Sequence, residues 1–218
     1  MVVRTKSSPR TGTRGEPEKT RAAILASALA EFASEGLAGA RTDAIAKSAG
    51  VNKALLYYYF KNKETLYGAV IDTVFANMRE QLLSALETNL SPGEKMNSYI
   101  GAHFDFVASS PHYPRLVQQE LMRTGRRKSP HLKRIAQEYY MPVFQKLSEV
   151  LQEGADCDEF RPVDPRRFVV CMVGAILHYF NTIPFAVAMG STDSLTLEAI
   201  SAQRSAVLDF VWHALRKA

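Results

Sequence analysis

The segment between Thr42 and Phe60 constrains the fold more than any other part of the chain. It reads TDAIAKSAGVNKALLYYYF, in which two short apolar patterns of helical spacing flank the dipeptide Gly50–Val51. A glycine at that point can adopt the positive φ that ends one helix and turns the chain into the next. Two short helices joined by such a turn are typical of a helix-turn-helix unit, whose second helix enters the major groove of DNA.

The residues around this segment can close a small hydrophobic core. Thr42 is predicted to cap the first of the two helices, and Asn52 is predicted to cap the second. A preceding helix over residues 19–35 is predicted to end at Gly36, and a further helix is predicted to follow the cap residue Asn62. The core positions that helical spacing selects are Ile24, Ala28, Phe32, Ile45, Ala46, Ala49, Leu56 and Phe60.

The rest of the chain is also predicted to be helical. Apolar residues recur at helical spacing, and no stretch keeps the alternation of period two that marks a strand. We therefore expect an all-α protein, in which an N-terminal three-helix helix-turn-helix domain precedes a larger C-terminal helical domain. The helices predicted in that second domain cover about 94–109, 113–122, 129–153, 166–188 and 194–216.

Positive charge is concentrated in the first third of the chain, whose formal net charge is +5 overall. Residues 1–67 hold 11 lysines and arginines against 6 acidic residues, whereas residues 68–218 hold 16 of each. A basic segment on a neutral body favours a polyanionic partner, and double-stranded DNA fits the predicted fold. We expect a disordered basic arm over 1–18, a DNA-binding domain over 19–67 and a second helical domain over 68–218.

Enzymes and membrane proteins are disfavoured by the same sequence. The five histidines are scattered, and there is no HExxH, GxSxG or glycine-rich phosphate loop, so no catalytic residue, cofactor or metal is predicted. Two cysteines, Cys157 and Cys171, fit a reducing cytoplasm. The uncharged stretch 168–192 is long enough to cross a bilayer. Because it contains His178 and Pro184, we interpret it as a helix buried in a core and a subunit interface, and expect no membrane.

The runs RAAILASALAEFASEG and TDAIAKSAGVNKALLYYYFKNKETLYGAV resemble the DNA-binding domain of the TetR family of bacterial transcriptional regulators. The resemblance covers residues 19–70. Its specific positions are Phe32, Gly36, Thr42, Ala46, Gly50, Val51, Leu56, Tyr57, Phe60, Lys63 and Leu66. It implies a cytoplasmic homodimer that binds an inverted-repeat operator as a repressor and is released by a small-molecule effector. The alternative is a DNA-binding regulator without an effector.

Eight residues are predicted to contact DNA. Leu56 and Phe60 hold the inner face of the recognition helix, so the three tyrosines between them fan outward, about 100° apart. A tyrosine suits a phosphate contact because it has few rotors and a neutral donor at its tip. The predicted contact residues are Thr42, Lys53, Ala54, Leu55, Tyr57, Tyr58, Tyr59 and Lys63.

These eight residues are expected to differ in what they contact. By resemblance, Tyr57 directs its hydroxyl to a phosphate, and Lys63 meets another at the first turn of its helix, a part that Thr42 plays for the second helix. Lys53 and Ala54 stand where recognition helices reach base edges, Lys53 meeting either a guanine or a phosphate.

Three alternatives stay open within the recognition helix. Tyr59 reaches either a phosphate or a base edge. Tyr58 either reaches DNA or only packs against the first helix. Leu55 departs from the small or hydroxylated residue that is common at its position in the family, and it either fills space or contacts a thymine methyl group.

By resemblance, the second domain holds an effector pocket and the dimer interface. The helices over about 166–188 and 194–216 are expected to pair with their mates as a four-helix bundle. The candidate effector contacts are His103, Phe106, Gln118, Met122, Tyr140, His178 and Asn181. Each has the alternative of an ordinary core or interface residue. The balanced charge of this domain favours a neutral or amphipathic ligand.

Overall fold

The computed structural model describes residues 16–123, 129–190 and 196–217. Within these ranges the chain is helical and has no strand, and the predicted all-α fold with its N-terminal helix-turn-helix is confirmed. Of the arm predicted over 1–18, residues 1–15 lie outside the described residues. The chain forms two compact units, divided between Val70 and Ile71.

Among its described residues, 16–70, the first unit contains three helices and the start of a fourth. These are α1 (Pro17–Gly39), α2 (Thr42–Ser48), α3 (Lys53–Tyr59) and α4 (Lys63–Leu86), and the division between the units falls inside α4. Seven of the eight predicted core residues are buried, and Ala49 is half-buried. The Phe32 and Tyr67 rings pack edge to face, with centroids 4.9 Å apart.

Two glycines turn the chain where the sequence predicts. Gly36 has a φ of 66° and breaks α1 near its end, and Gly50 has a φ of 69° between α2 and α3. Both values lie in the region that glycine adopts without a steric penalty. The turn that defines the helix-turn-helix is therefore set by Gly50.

Side-chain caps fix the starts of α3 and α4. The Asn52 side chain accepts the Leu55 N–H at 2.8 Å, and Asn62 accepts the Thr65 N–H at 2.8 Å, so both predicted caps are confirmed. The predicted Thr42 cap is wrong. Thr42 is the first helical residue of α2 and Arg41 occupies the capping position without a side-chain bond, so the Thr42 hydroxyl is free to bond elsewhere.

In the part of the chain that the structure describes, the second unit contains the rest of α4 and six further α-helices. A complete capping box at Ser91, in which Ser91 and Glu94 exchange side-chain to backbone hydrogen bonds, begins the first of them. The helices are α5 (Pro92–Ser109), α6 (Tyr113–Met122), α7 (Pro130–Arg134), α8 (Met141–Asp156), α9 (Pro165–Ala188) and α10 (Leu197–Leu215).

A π-helical segment, Ile135–Tyr140, joins α7 to α8 where the sequence predicts one continuous helix over 129–153. Pro142 explains the interruption because it has no N–H to donate to the carbonyl of Glu138, four residues earlier. The Arg79 guanidinium donates to that carbonyl instead, at 3.1 Å. The segment ends at Tyr140, which reaches the cavity described below.

Helix α9 buries a narrow face and leaves a broad one exposed. Val169, Met172 and Ile176 are buried, whereas Val170 and Phe185 are 72% and 65% exposed. By length and composition alone, α1 and α9 could each cross a membrane. This is weak evidence, because the core helices of soluble proteins meet the same criteria and α1 contributes to the core of the first unit.

Candidate nucleic-acid interface and effector cavity

The three tyrosines of α3 occupy three different environments. Tyr58 is 80% exposed, Tyr57 is exposed less, and Tyr59 is half-buried. The Tyr58 and Tyr59 rings pack edge to face at 5.5 Å, and Tyr59 also lies beside Phe60. Tyr58 therefore presents almost its whole ring to solvent, and Tyr59 is the tyrosine that packs.

A hydroxyl pair joins α2 to α3. The Thr42 and Tyr57 hydroxyls lie 3.1 Å apart on the surface of the unit. Two hydroxyls that share one hydrogen bond leave one proton free to donate to a third group. The structure thus brings together two of the residues predicted to contact a phosphate.

Lys53, at the first position of α3, forms an ion pair with Asp43 of α2. The Lys53 ammonium lies 2.8 Å from the Asp43 carboxylate, and both side chains are more than half exposed. The hydrogen bond from Lys53 lowers the pKa of Asp43, and the same bond raises the pKa of Lys53. Asp43 is a residue that the sequence analysis did not select, since a carboxylate does not itself attract DNA.

Lys63 is half-buried and bonds to the end of α1. Its ammonium donates to the carbonyls of Ala38 and Ala40, at 3.1 Å each. A lysine has three N–H groups, so one remains for a phosphate. The other two predicted contacts differ in exposure, since Ala54 is exposed and Leu55 is half-buried.

An apolar cavity of about 470 Å³ lies in the second unit, within the size range of small-molecule sites. Helices α4, α5, α8 and α9 and the π-helical segment contribute its walls. Its lining consists of Leu82, Tyr99, Ala136, Tyr140, Met141, Val143, Phe144, Leu147, Val169, Val170, Val173, Gly174 and Leu177. Among the predicted effector contacts, Tyr140 lines this cavity.

Tyr140 is tied to a second buried tyrosine. The Tyr140 and Tyr113 hydroxyls lie 2.6 Å apart, and Tyr113 is fully buried between the rings of Phe75 and Phe106. Burial raises the pKa of Tyr140 to about 12, so the hydroxyl stays protonated at neutral pH. Phe106, a predicted effector contact, is thus a core residue that supports Tyr113.

His103 is buried beside Tyr99, with ring centroids 5.6 Å apart. Neither of its ring nitrogens has a hydrogen-bond partner among the described residues. Burial lowers the pKa of His103 to about 4, so the imidazole is neutral at physiological pH. Tyr99 lines the cavity one helical turn before His103 on α5.

The remaining predicted contacts lie away from this cavity. Gln118 and Asn181 line a second pocket of about 390 Å³, together with Arg115 and Phe180. Met122 is 76% exposed at the end of α6. His178 is exposed on the same broad face of α9 as Val170 and Phe185.

The cavity residues that the sequence analysis missed are mostly aliphatic. Leu82, Val143, Leu147 and Val173 occur at helical spacing like any core residue. No sequence signal separates a core position from a cavity wall, because the difference depends on how far apart neighbouring helices pack. Tyr99 could have been selected as a polar group within an apolar pattern.

Comparisons with known proteins match both halves of the chain. Residues 24–70 match the model for bacterial regulatory proteins of the tetR family, and residues 92–211 match the model for a tetracyclin repressor-like C-terminal domain. The HTH-type transcriptional repressor SCO4008 of Streptomyces coelicolor is 32% identical over 157 residues, which cover 72% of this chain and 78% of that protein. The repressor NicS of Pseudomonas putida is 25% identical over 177 residues, 79% of this chain and 81% of NicS.

Solved structures share the fold. The regulator FadR from Bacillus subtilis, in complex with stearoyl-CoA, has a TM-score of 0.67 at 22% identity and covers 89% of this chain and 99% of its own. The transcriptional regulator SCO4942 from Streptomyces coelicolor has a TM-score of 0.64 at 27% identity, and the match covers 91% of this chain and 99% of SCO4942. With both domain models matched and the helix-turn-helix in place, the chain belongs to the TetR family of ligand-responsive, DNA-binding transcriptional regulators.

Proposed function

We propose that this protein is a cytoplasmic homodimeric repressor that binds an inverted-repeat operator and leaves it when a small apolar effector enters the cavity of the second unit. The observation that carries the proposal is the cavity itself, which α4 helps to line through Leu82. The same helix supplies Lys63 to the DNA-binding unit. One continuous helix therefore has a residue in the DNA-binding unit and another in the cavity wall.

In this proposal, phosphate contacts hold the protein on DNA and the start of α3 reads the sequence. Three features face the phosphate backbone of the DNA: the Thr42–Tyr57 hydroxyl pair, the third N–H of Lys63 and the exposed Tyr58 ring. Lys53, Ala54 and Leu55 face base edges. Tyr59 stabilises α3, because its half-buried ring packs against its neighbours.

Dimerisation is proposed through the broad exposed face of α9 and the adjoining α10. Val170, Phe185 and, on α10, Phe210 are more than half exposed. Large apolar residues exposed in one region mark an interaction surface. Two helix-turn-helix units on one dimer then match two half-sites of an operator.

Release follows from differential affinity. If the effector prefers a cavity geometry in which α4 is shifted, it favours dimers whose recognition helices no longer match the half-site spacing. Linkage requires that effector and operator weaken each other by the same factor.

The test begins with an operator selected from random DNA, since the selection itself reveals whether the motif is an inverted repeat. Operator affinity is then measured by fluorescence anisotropy with and without compounds that raise the melting temperature of the protein. We expect at least one compound to reduce operator affinity, and operator DNA to reduce the affinity for that compound equally. A compound that binds in the cavity and leaves operator affinity unchanged would contradict the gating mechanism and favour a regulator without an effector.

A further inference from the structure

The walls of the apolar cavity offer no charge to a ligand. Of the thirteen lining residues, ten have hydrocarbon or thioether side chains, one is a glycine and two are the tyrosines Tyr99 and Tyr140. No lysine, arginine, histidine, aspartate or glutamate lines it within the described parts of the chain. An ionised ligand group buried there would lose its hydration without gaining a counter-charge, which is strongly unfavourable.

Tyr140 is the polar group best placed to meet a ligand. Its hydroxyl has one partner among the described residues, the Tyr113 hydroxyl at 2.6 Å. Two hydroxyls carry two protons, and their mutual bond uses one of them. Tyr113 is fully buried and outside the cavity lining, whereas Tyr140 is part of that lining. When Tyr113 donates to Tyr140, the proton of the Tyr140 hydroxyl is therefore the one left for a further acceptor.

Other neutral groups lie near this hydroxyl. Tyr99 is buried, lines the cavity and forms no hydrogen bond with any described residue, and its pKa is raised by burial and by the nearby Tyr140 hydroxyl. His103 lies against the Tyr99 ring with both nitrogens unpartnered among the described residues. The side chains of four residues are uncharged at neutral pH, namely Tyr99, His103, Tyr113 and Tyr140. Tyr99 and Tyr140 are the two lining residues with a polar side-chain atom, whereas the other lining side chains are hydrocarbon or thioether.

We propose that the effector is an uncharged, largely hydrocarbon molecule with a hydrogen-bond-accepting oxygen, such as a ketone, an ester or an alcohol, and that this oxygen accepts a hydrogen bond from the Tyr140 hydroxyl. The inference rests on the proposed function only in taking this cavity as the effector site. On this proposal, carboxylates and quaternary ammonium compounds of equal chain length are not the preferred ligands.

The test uses four probes that each have a ten-carbon chain: 2-decanone, 1-decanol, decanoate at pH 8 and decyltrimethylammonium. The two neutral probes are used below their solubility limits and the two ions below their critical micelle concentrations. Binding to the full-length protein is measured by calorimetry or by displacement of a fluorescent apolar dye. We expect the ketone and the alcohol to bind at least roughly tenfold more tightly than either ion. Tighter binding of either ion, or no binding of the two neutral probes, would overturn the proposal.

The Tyr140→Phe variant tests the hydrogen bond itself. It removes one oxygen and keeps the ring, and we expect the affinity for 2-decanone to fall roughly tenfold, which is the usual worth of one hydrogen bond. The matched control is Tyr139→Phe, because the Tyr139 hydroxyl bonds to Asp72 at 2.7 Å and does not line the cavity. Equal ketone affinities in the wild type and Tyr140→Phe would refute the role of Tyr140.

Operator binding separates this inference from the proposed function. If 2-decanone binds through Tyr140 but operator affinity does not change, the ligand class stands and the gating mechanism fails. If decanoate alone releases the operator, gating stands and the ligand class is wrong.

Discussion

The Lys53 ammonium lies 2.8 Å from the Asp43 carboxylate, so the start of the recognition helix bears an ion pair and not a free cation. The pair fixes where Lys53 points before DNA arrives. It also places a negative charge close to the DNA-facing surface, where it disfavours contacts with phosphate that bring no sequence information.

We therefore expect Asp43→Asn to tighten binding to random DNA more than binding to the operator, which lowers the ratio of the two affinities. Removing the carboxylate both frees Lys53 and abolishes a repulsion with phosphates. Both affinities should be measured at several salt concentrations. Asp156→Asn, in the other unit, changes the net charge equally and should leave the ratio unaltered; an unaltered ratio in Asp43→Asn would show that the pair has no role in selectivity.

Lys63→Ala is expected to have two separable effects. Loss of the bonds to the Ala38 and Ala40 carbonyls should destabilise the DNA-binding unit by about 1–2 kcal/mol. Loss of the remaining N–H should weaken operator and random DNA alike, and flatten the slope of log K against log salt by about one unit. Lys63→Arg, which retains the charge, should keep the slope. A wild-type slope in Lys63→Ala would assign Lys63 a purely structural role.

Leu55→Thr should change the base preference of the protein and leave its affinity for random DNA nearly constant. Leu55 is half-buried on α3, so part of its side chain is available to a thymine methyl group. Selection from random DNA should be run in parallel on the wild type and the variant. If both return the same motif, Leu55 only fills space beneath the recognition helix.

If the proposed dimer forms through α9, Phe185→Glu should convert it into a monomer and reduce operator affinity at least a hundredfold. Phe185 is 65% exposed on α9, and a buried glutamate in each subunit would oppose association. Light scattering after size exclusion measures the mass. Leu90→Glu places the same charge on an exposed residue outside α9 and α10 and should remain dimeric. If Phe185→Glu remains dimeric, the dimer interface does not include Phe185.

The neutral, buried His103 predicts a pH dependence of stability. Its pKa is about 4 in the folded protein and 6.5 in the unfolded chain, so the unfolded chain binds the proton more readily between these values. The contribution of the neutral His103 to the free energy of unfolding is fully present above pH 6.5. It falls as the pH decreases towards 4, by about 2 kcal/mol between pH 7.5 and 5. Urea unfolding at fixed protein concentration measures this change.

His103→Leu should abolish most of that dependence and cost little at pH 7.5, because neither nitrogen has a partner among the described residues. His178→Gln, at an exposed histidine, should retain it. If His103→Leu unfolds with the wild-type pH dependence, the buried imidazole is not its source.

The sequence predicted the DNA-binding unit well because its determinants are local. Gly36 and Gly50 take the positive φ expected of them, and Asn52 and Asn62 cap their helices. Each of these features depends on residues within four positions of one another, so chain order contains the information. Thr42 shows the limit, since a shift of one residue turned a predicted cap into a partner of Tyr57.

The lining of the apolar cavity was predicted far less well. Tyr140 lines it, but Gln118 and Asn181 line another pocket and Phe106 is core. A polar residue in an apolar pattern indicates that something must satisfy it, and does not say whether a ligand, a neighbour or solvent does so. The π-helical segment that ends at Tyr140 depends on Pro142 together with Arg79, which is 63 residues away in sequence.

By itself, then, the sequence determined the helical fold, the turn at Gly50 and the exposure of Tyr57 and Tyr58, because helical periodicity and capping act over a few residues. The tertiary structure alone decided that Lys53 forms an ion pair with Asp43 and that Lys63 bonds to the end of α1. It also decided that Tyr140, at the cavity wall, forms a hydrogen bond with Tyr113. These relationships join residues from different helices, and the distance between two helices is set by the packing of all their side chains.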